Sequence, residues 1–166
     1  MEDIQYDVFI SYSRKDYVDE NKHIIPGNAV SEIKELLKDN NISYWFDEEG
    51  IYHGDTFAEK IATNIEKSLM VLFLSSYNAN KSKWTSKEIS AALHLRKHII
   101  PIRLDDSAYN KSVMLYISDL DFVEYYEDKE KAKKSILDSI LHAKAEYEAT
   151  LRKQEQERQE DKERKE

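Results

Sequence analysis

Glu88 is an acid in a stretch built for burial. The segment Trp84-Thr85-Ser86-Lys87-Glu88 leads into Ile89, Ala91, Ala92, Leu93 and Leu95, apolar residues whose helical spacing starts a helix at or near Trp84. Positions 84, 88, 91, 92 and 95 then share one side, which sets a carboxyl between an indole and three apolar side chains. Two chemistries fit. With Thr85 as N-cap, Thr85 and Glu88 spell T-x-x-E, a capping box that leaves Trp84 outside the helix. With Ser82 as N-cap the helix starts a turn earlier. Trp84 and Glu88 then share the mouth of a pocket, an aromatic plate beside a partly desolvated carboxyl. Spacing alone favours the cap, because such caps are frequent at helix starts.

The elements that must position this stretch follow in order. Tyr6 to Ile10 reads as a strand, ending in the loop chemistry of Ser11-Tyr12-Ser13-Arg14-Lys15-Asp16. Ala29, Val30, Ile33, Leu36 and Leu37 predict a helix closing near Asn40-Asn41. Ile42 to Phe46 reads as strand two, and the loop from Asp47 to Asp55 is too long for a tight turn. Thr56 and Glu59 spell another capping box, opening a helix with Phe57, Ile61, Ile65 and Leu69 inward. Leu69 to Leu74 is apolar throughout, as in a strand buried on both faces. Ile99 to Leu104 gives strand four, whose Pro101 points to an early or edge position, and Asp121 to Tyr126 a short fifth.

This alternation predicts an α/β fold with a mostly parallel five-stranded sheet of order 2-1-3-4-5 and helices on both faces. Ligands in such sheets bind outside the carboxyl ends of the strands, at the switch point between strands one and three. The loop after strand one and the segment leading to Trp84 and Glu88 meet in that crevice, which brings the pocket reading of Glu88 level with the cap.

Composition bounds the remaining choices. At 166 residues with 40% hydrophobic content the chain suits one domain with an appendage. Its net charge of −8 opposes non-specific nucleic-acid binding. Without cysteine there is no disulfide, thiolate zinc site or cysteine nucleophile. Met1 to Gln5 holds no basic region before an apolar run, and no apolar stretch nears the roughly 18 residues of a membrane span. A soluble cytoplasmic protein without a membrane partner is the expectation. Ile136, Leu137, Ile140 and Leu141 predict a last helix on the domain. Beyond Leu151 only charged residues and glutamine remain, six of each sign, as in a solvated helix, linker or tail. The expected division is a domain over 1–142 and a charged helical extension or linker over 143–166.

Several chemistries are not spelled here. With Gly27, Gly50 and Gly54 as its only glycines the chain has neither a P-loop nor a G-x-G-x-x-G turn. His94 and His98 have the spacing of helical metal ligands but lack a third, so they read as surface histidines and no metal is expected. Asp105-Asp106 suggests a phosphorelay receiver, yet strand one ends in Ser11-Tyr12 and strand three in Ser75-Ser76, where that chemistry needs acids. No G-x-S-x-G elbow is present.

Y-D-V-F-I-S-Y-S at 6–13, Y-W-F-D at 44–47, the loop ending Gly54-Asp55 and W-T-S-K-E at 84–88 together resemble a Toll/interleukin-1 receptor (TIR) domain. The likeness covers roughly residues 5 to 142 and is similar to bacterial, NAD-cleaving members. It implies a flavodoxin-like three-layer fold and one of two functions: cleavage of NAD+ at the nicotinamide–ribose bond, or non-enzymatic assembly with other TIR domains as an adaptor or virulence factor. In the enzymatic group Glu88 is the implied catalytic residue, with Trp84 four residues before it. The resemblance also carries Phe9, Ser11, Tyr12 and Arg14 to the ribose and phosphate side, and Asp47 and Gly54 to the rim. NAD+ would be substrate and not cofactor, the product ADP-ribose or a cyclic isomer, the setting antiphage defence, and self-association part of the activity. Two departures stand out. The loop from Lys15 to Asn28 is longer than in many relatives, and Ser13 stands where many carry a basic residue, which leaves Arg14 as the local cation.

Overall fold

The computed structural model describes residues 3–48 and 54–165. Strands β1 (Tyr6–Ser11), β2 (Tyr44–Trp45), β3 (Ser68–Ser75), β4 (His98–Arg103) and β5 (Val123–Glu124) form one parallel sheet of order β2-β1-β3-β4-β5. This is the flavodoxin-like order that the alternation predicts. The helices are α1 (Ala29–Asp39), α2 (Gly54–Glu66), α3 (Tyr77–Lys81), α4 (Lys83–His94), α5 (Lys111–Ile117) and α6 (Lys129–Lys165).

The two-residue period of the strands divides their side chains between two cores. Val8, Ile10 and Tyr12 with Met70, Leu72 and Leu74 face Val30, Ile33 and Leu37 of α1 and Ala132, Ile136 and Ile140 of α6. Phe9, Val71 and Phe73 face Ile61 and Ile65 of α2, Ile89 and Ala92 of α4, and Val113 and Ile117 of α5. β3, paired on both sides, is the longest strand. The outer strands β2 and β5 are paired on one side and hold only two residues each, shorter than Ile42–Phe46 and Asp121–Tyr126.

Pro101 is neither early nor on an edge strand, since β4 lies between β3 and β5. β5 pairs only with Ile102 and Arg103, however, so the proline occupies a part of β4 with a strand on one side alone. α2 has begun by Gly54, so Thr56 lies inside the helix and does not open it as a cap. α3 and α5 are short helices that the apolar spacing does not spell. The Ser76 side chain caps α3 by accepting from the Ala79 N–H, and Asn110 caps α5 by accepting from the Ser112 N–H.

α6 is one unbroken helix of 37 residues. Its first half packs on the sheet, and Lys144 Nζ meets the Asp7 carboxylate at 3.2 Å. From Arg152 onward every described residue is exposed. Among the described residues no helix is long and apolar enough to cross a membrane.

Candidate functional site

α4 starts behind Ser82, whose hydroxyl accepts a hydrogen bond from the Thr85 N–H at 3.2 Å. Thr85 therefore lies within the first turn, and the capping-box account of Glu88 is overturned. Because α4 follows β3 and runs back along the sheet, its first two turns lie at the carboxyl ends of the strands. There Glu88 is only 5% exposed, and among the described residues no donor reaches its carboxyl. Burial, with the negative charge of Asp47 added, holds its pKa well above the ordinary carboxyl value.

The other groups on this face share that character. Ser11 ends β1 fully buried, and among the described residues its hydroxyl has no hydrogen-bond partner. The buried Thr85 hydroxyl likewise has none, although a threonine within a helix can usually bond back to the preceding turn. Each orphan costs on the order of 1–3 kcal/mol if nothing fills its place. Phe9 is core, stacked on Trp45 at 4.8 Å between ring centroids. Trp84 meets Phe57 of α2 edge to face at 5.6 Å, and Lys87 Nζ lies 4.9 Å from its ring centroid.

Tyr12 and Arg14 are engaged differently. The Tyr12 ring belongs to the opposite core, stacked on Phe46 at 4.4 Å, and its hydroxyl donates to the Asp47 carbonyl at 2.5 Å. Arg14 Nη1 donates to the Glu48 carbonyl at 2.7 Å. Both hold the exit of β2. Gly54 is the first residue of α2. The loop between Glu48 and Gly54, expected to bound the pocket, lies outside the described residues.

Glu88 and Asp47 thus stand near enough for one charge to bear on the other, while Trp84 lies one turn before Glu88 on α4, Ser11 ends β1, and Phe9 is buried in the core on the α4 side of the sheet. Thr85 as a second unpartnered hydroxyl was not legible, because T-x-x-E reads first as a cap. Lys34 sits four residues after Val30 and three before Leu37, on the buried arc of α1, where a lone lysine spells no chemistry in the sequence. Among the described residues no group of three or more His, Asp or Glu is arranged to hold a metal. His94 ends α4 and His98 opens β4, both exposed.

A family model described as TIR domain matches residues 8–141. A curated relative from Methanobrevibacter olleyae, "Probable 2' cyclic ADP-D-ribose synthase TcpO", is 31% identical over 84 residues, covering 51% of this chain and 22% of that protein. The chain thus spans under a quarter of that relative's length. Among solved structures, the TIR domain of the Toll-related receptor TRR-2 from Hydra magnipapillata superposes with a TM-score of 0.63 at 18% identity, over 82% of this chain and 98% of the other. The TIR domains of the activated Roq1 resistosome give 0.58 at 17% identity, over 82% and 99%. A metazoan TIR-STING receptor from C. gigas gives 0.57 at 16% identity, over 84% and 41%. At these identities the likeness is one of fold.

Proposed function

The chain belongs to the TIR domain family, and on that footing we propose that it is an NAD+ nucleosidase with Glu88 as its catalytic residue. The observation that carries this reading is a buried carboxyl, without a donor among the described residues, at the switch-point crevice of the sheet. Such a group costs stability unless a ligand uses it.

Most glycoside cleavages need two carboxyls, one to protonate the leaving oxygen and one to stabilise the oxocarbenium-like centre. Nicotinamide in NAD+ is already cationic and departs neutral without a proton. One carboxyl then suffices. A carboxyl kept neutral by burial ionises, its proton passing to solvent, when a positively charged ring is placed against it. Glu88 in that state binds the ribose hydroxyls and opposes the charge developing at the anomeric carbon. Trp84 offers an aromatic face to a base or ring. Ser11 supplies a hydroxyl, Phe9 the floor, Asp47 and Gly54 the rim, and Arg14 a cation toward the diphosphate. NAD+ is here a substrate, with no resident cofactor.

The relative's description as a 2' cyclic ADP-D-ribose synthase supports a cyclic product, formed when a hydroxyl of the same molecule and not water closes on the anomeric carbon. Self-association with other TIR domains and a part in antiphage defence complete the proposal. The test is nicotinamide release by the concentrated protein. Wild type should release it, and Glu88→Ala should lose about 10²-fold or more at a near-unchanged melting temperature. No release by wild type, or undiminished release by Glu88→Ala, would move the reading to a non-enzymatic adaptor or virulence factor.

A further inference from the structure

The alternation of β2 continues past its end. Tyr44 and Phe46 pack in the core under α1, whereas Trp45 packs on the α2 and α4 side. By the same parity Glu48 falls toward α1 and Asp47 toward α4. Glu48 is met by a built cluster. Lys34 Nζ donates to its carboxylate at 2.6 Å and stands 3.9 Å from the Phe46 ring centroid, and the Tyr17 hydroxyl donates to its other oxygen at 3.4 Å. The Lys34 side chain is 15% exposed, against 60% for Glu48. Burial alone would lower the pKa of Lys34, but the Glu48 hydrogen bond and charge, with Tyr17, outweigh it and leave it raised. Tyr12 adds its bond to the Asp47 carbonyl.

We propose that Lys34 and Tyr12 are positioning residues, a clamp under α1 that fixes the exit of β2 and so stands Asp47 beside Glu88 on the far side of the sheet. The inference rests on the role given to Glu88 above. A half-exposed ion pair adds little stability, so geometry is the better reason for a lysine on the buried arc of a helix. Among the described residues, other charges around α4 do not compete. Glu59, Lys60 and Glu66 on α2, Lys81 on α3, Lys111 on α5, and Lys83 and Lys87 on α4 are all exposed. Beyond burial, Asp47 is the influence among the described residues that bears on Glu88.

The sign of one shift decides the proposal. Losing a distant cation directly would raise the Glu88 titration midpoint, whereas loosening Asp47 lowers it, because the neighbouring negative charge opposes ionisation. The Glu88 carboxyl is followed by carbon-13 NMR in the full chain without NAD+, for wild type, Lys34→Met, Lys34→Arg, Tyr12→Phe and, as reference, Asp47→Asn. Asp47→Asn should lower the midpoint. Lys34→Met and the charge-neutral Tyr12→Phe should lower it by a sizeable part of that shift, and Lys34→Arg should restore it. The acid limb of NAD+ cleavage should move with the midpoint. A midpoint that stays put or rises in Lys34→Met and stays put in Tyr12→Phe overturns the clamp, as does an unmoved midpoint in Asp47→Asn. Should Lys34→Met not fold, Tyr12→Phe decides by itself. If wild type releases no nicotinamide, the enzyme reading fails alone and the titration still judges the clamp.

Discussion

The two faces of the sheet treat polar groups differently near the carboxyl ends of β1 and β3. Under α1 and α6 they have partners: Lys34 with Glu48, Lys144 with Asp7, and Tyr125 and Lys129 with Glu32. Under α2 and α4, among the described residues, Glu88 is buried without a donor, and the hydroxyls of Ser11 and Thr85 are orphaned. Apolar packing does not separate the faces, since both cores hold fully buried aliphatic residues. One face is organised for stability. The other pairs Arg103 with Glu124 and Asn80 with Ser75 but, around Glu88, holds polar groups that a ligand or bound water could complete.

The sharpest way to break this comparison is to show that packing differs after all. Leu37→Ala on the α1 side and Ile65→Ala on the α2 side should each cost about 2–5 kcal/mol in denaturant unfolding, because both side chains are fully buried. A large gap between them would place the asymmetry in packing and not in polar satisfaction.

Glu88→Gln comes next. Because the folded-state pKa of Glu88 is raised, folded wild type keeps a proton that the unfolded chain loses as pH climbs through the ordinary carboxyl range. Wild-type stability should fall over that interval and that of the glutamine variant should not. Melts should coincide below about pH 4 and separate toward pH 7 by on the order of 1–3 kcal/mol in favour of glutamine. Equal melting temperatures at both ends would mean the carboxyl is not held neutral.

Thr85→Val and Ser11→Ala remove the orphaned hydroxyls with little change of shape. Each should leave stability unchanged or raise it by up to about 1 kcal/mol, whereas a loss above that would reveal a hidden partner. The smallest effect belongs to the satisfied face: Lys129→Met breaks a half-exposed pair with Glu32 and should shift stability by less than about 1 kcal/mol.

How much of this could be read beforehand depends on whether the deciding forces were local. Strand order and the inner strands followed from alternation and from apolar runs such as Leu69 to Leu74, because a strand buried on both faces has no choice of composition. The ends of β2 and β5 did not, since Ile42 and Phe46 look like strand residues yet pack from positions beyond the ladder. At the site, Glu88 drew notice as an acid among apolar neighbours. Its capping reading was excluded by Ser82, a competing serine three residues before Thr85. The partners of Tyr12 and Arg14 were not legible at all, because both bonds go to backbone carbonyls more than thirty positions away, and a carbonyl has no letter in a sequence.

The unbroken course of α6 fixes angular phase as well as distance. At about 1.5 Å and 100° per residue, the stretch past Arg152 acts as a protractor whose zero is set by Ile136 and Ile140 in the core. A spectroscopic label moved along it by one position swings about a quarter-turn around the axis. Moving it by seven returns it nearly to the same bearing, some 10 Å farther out.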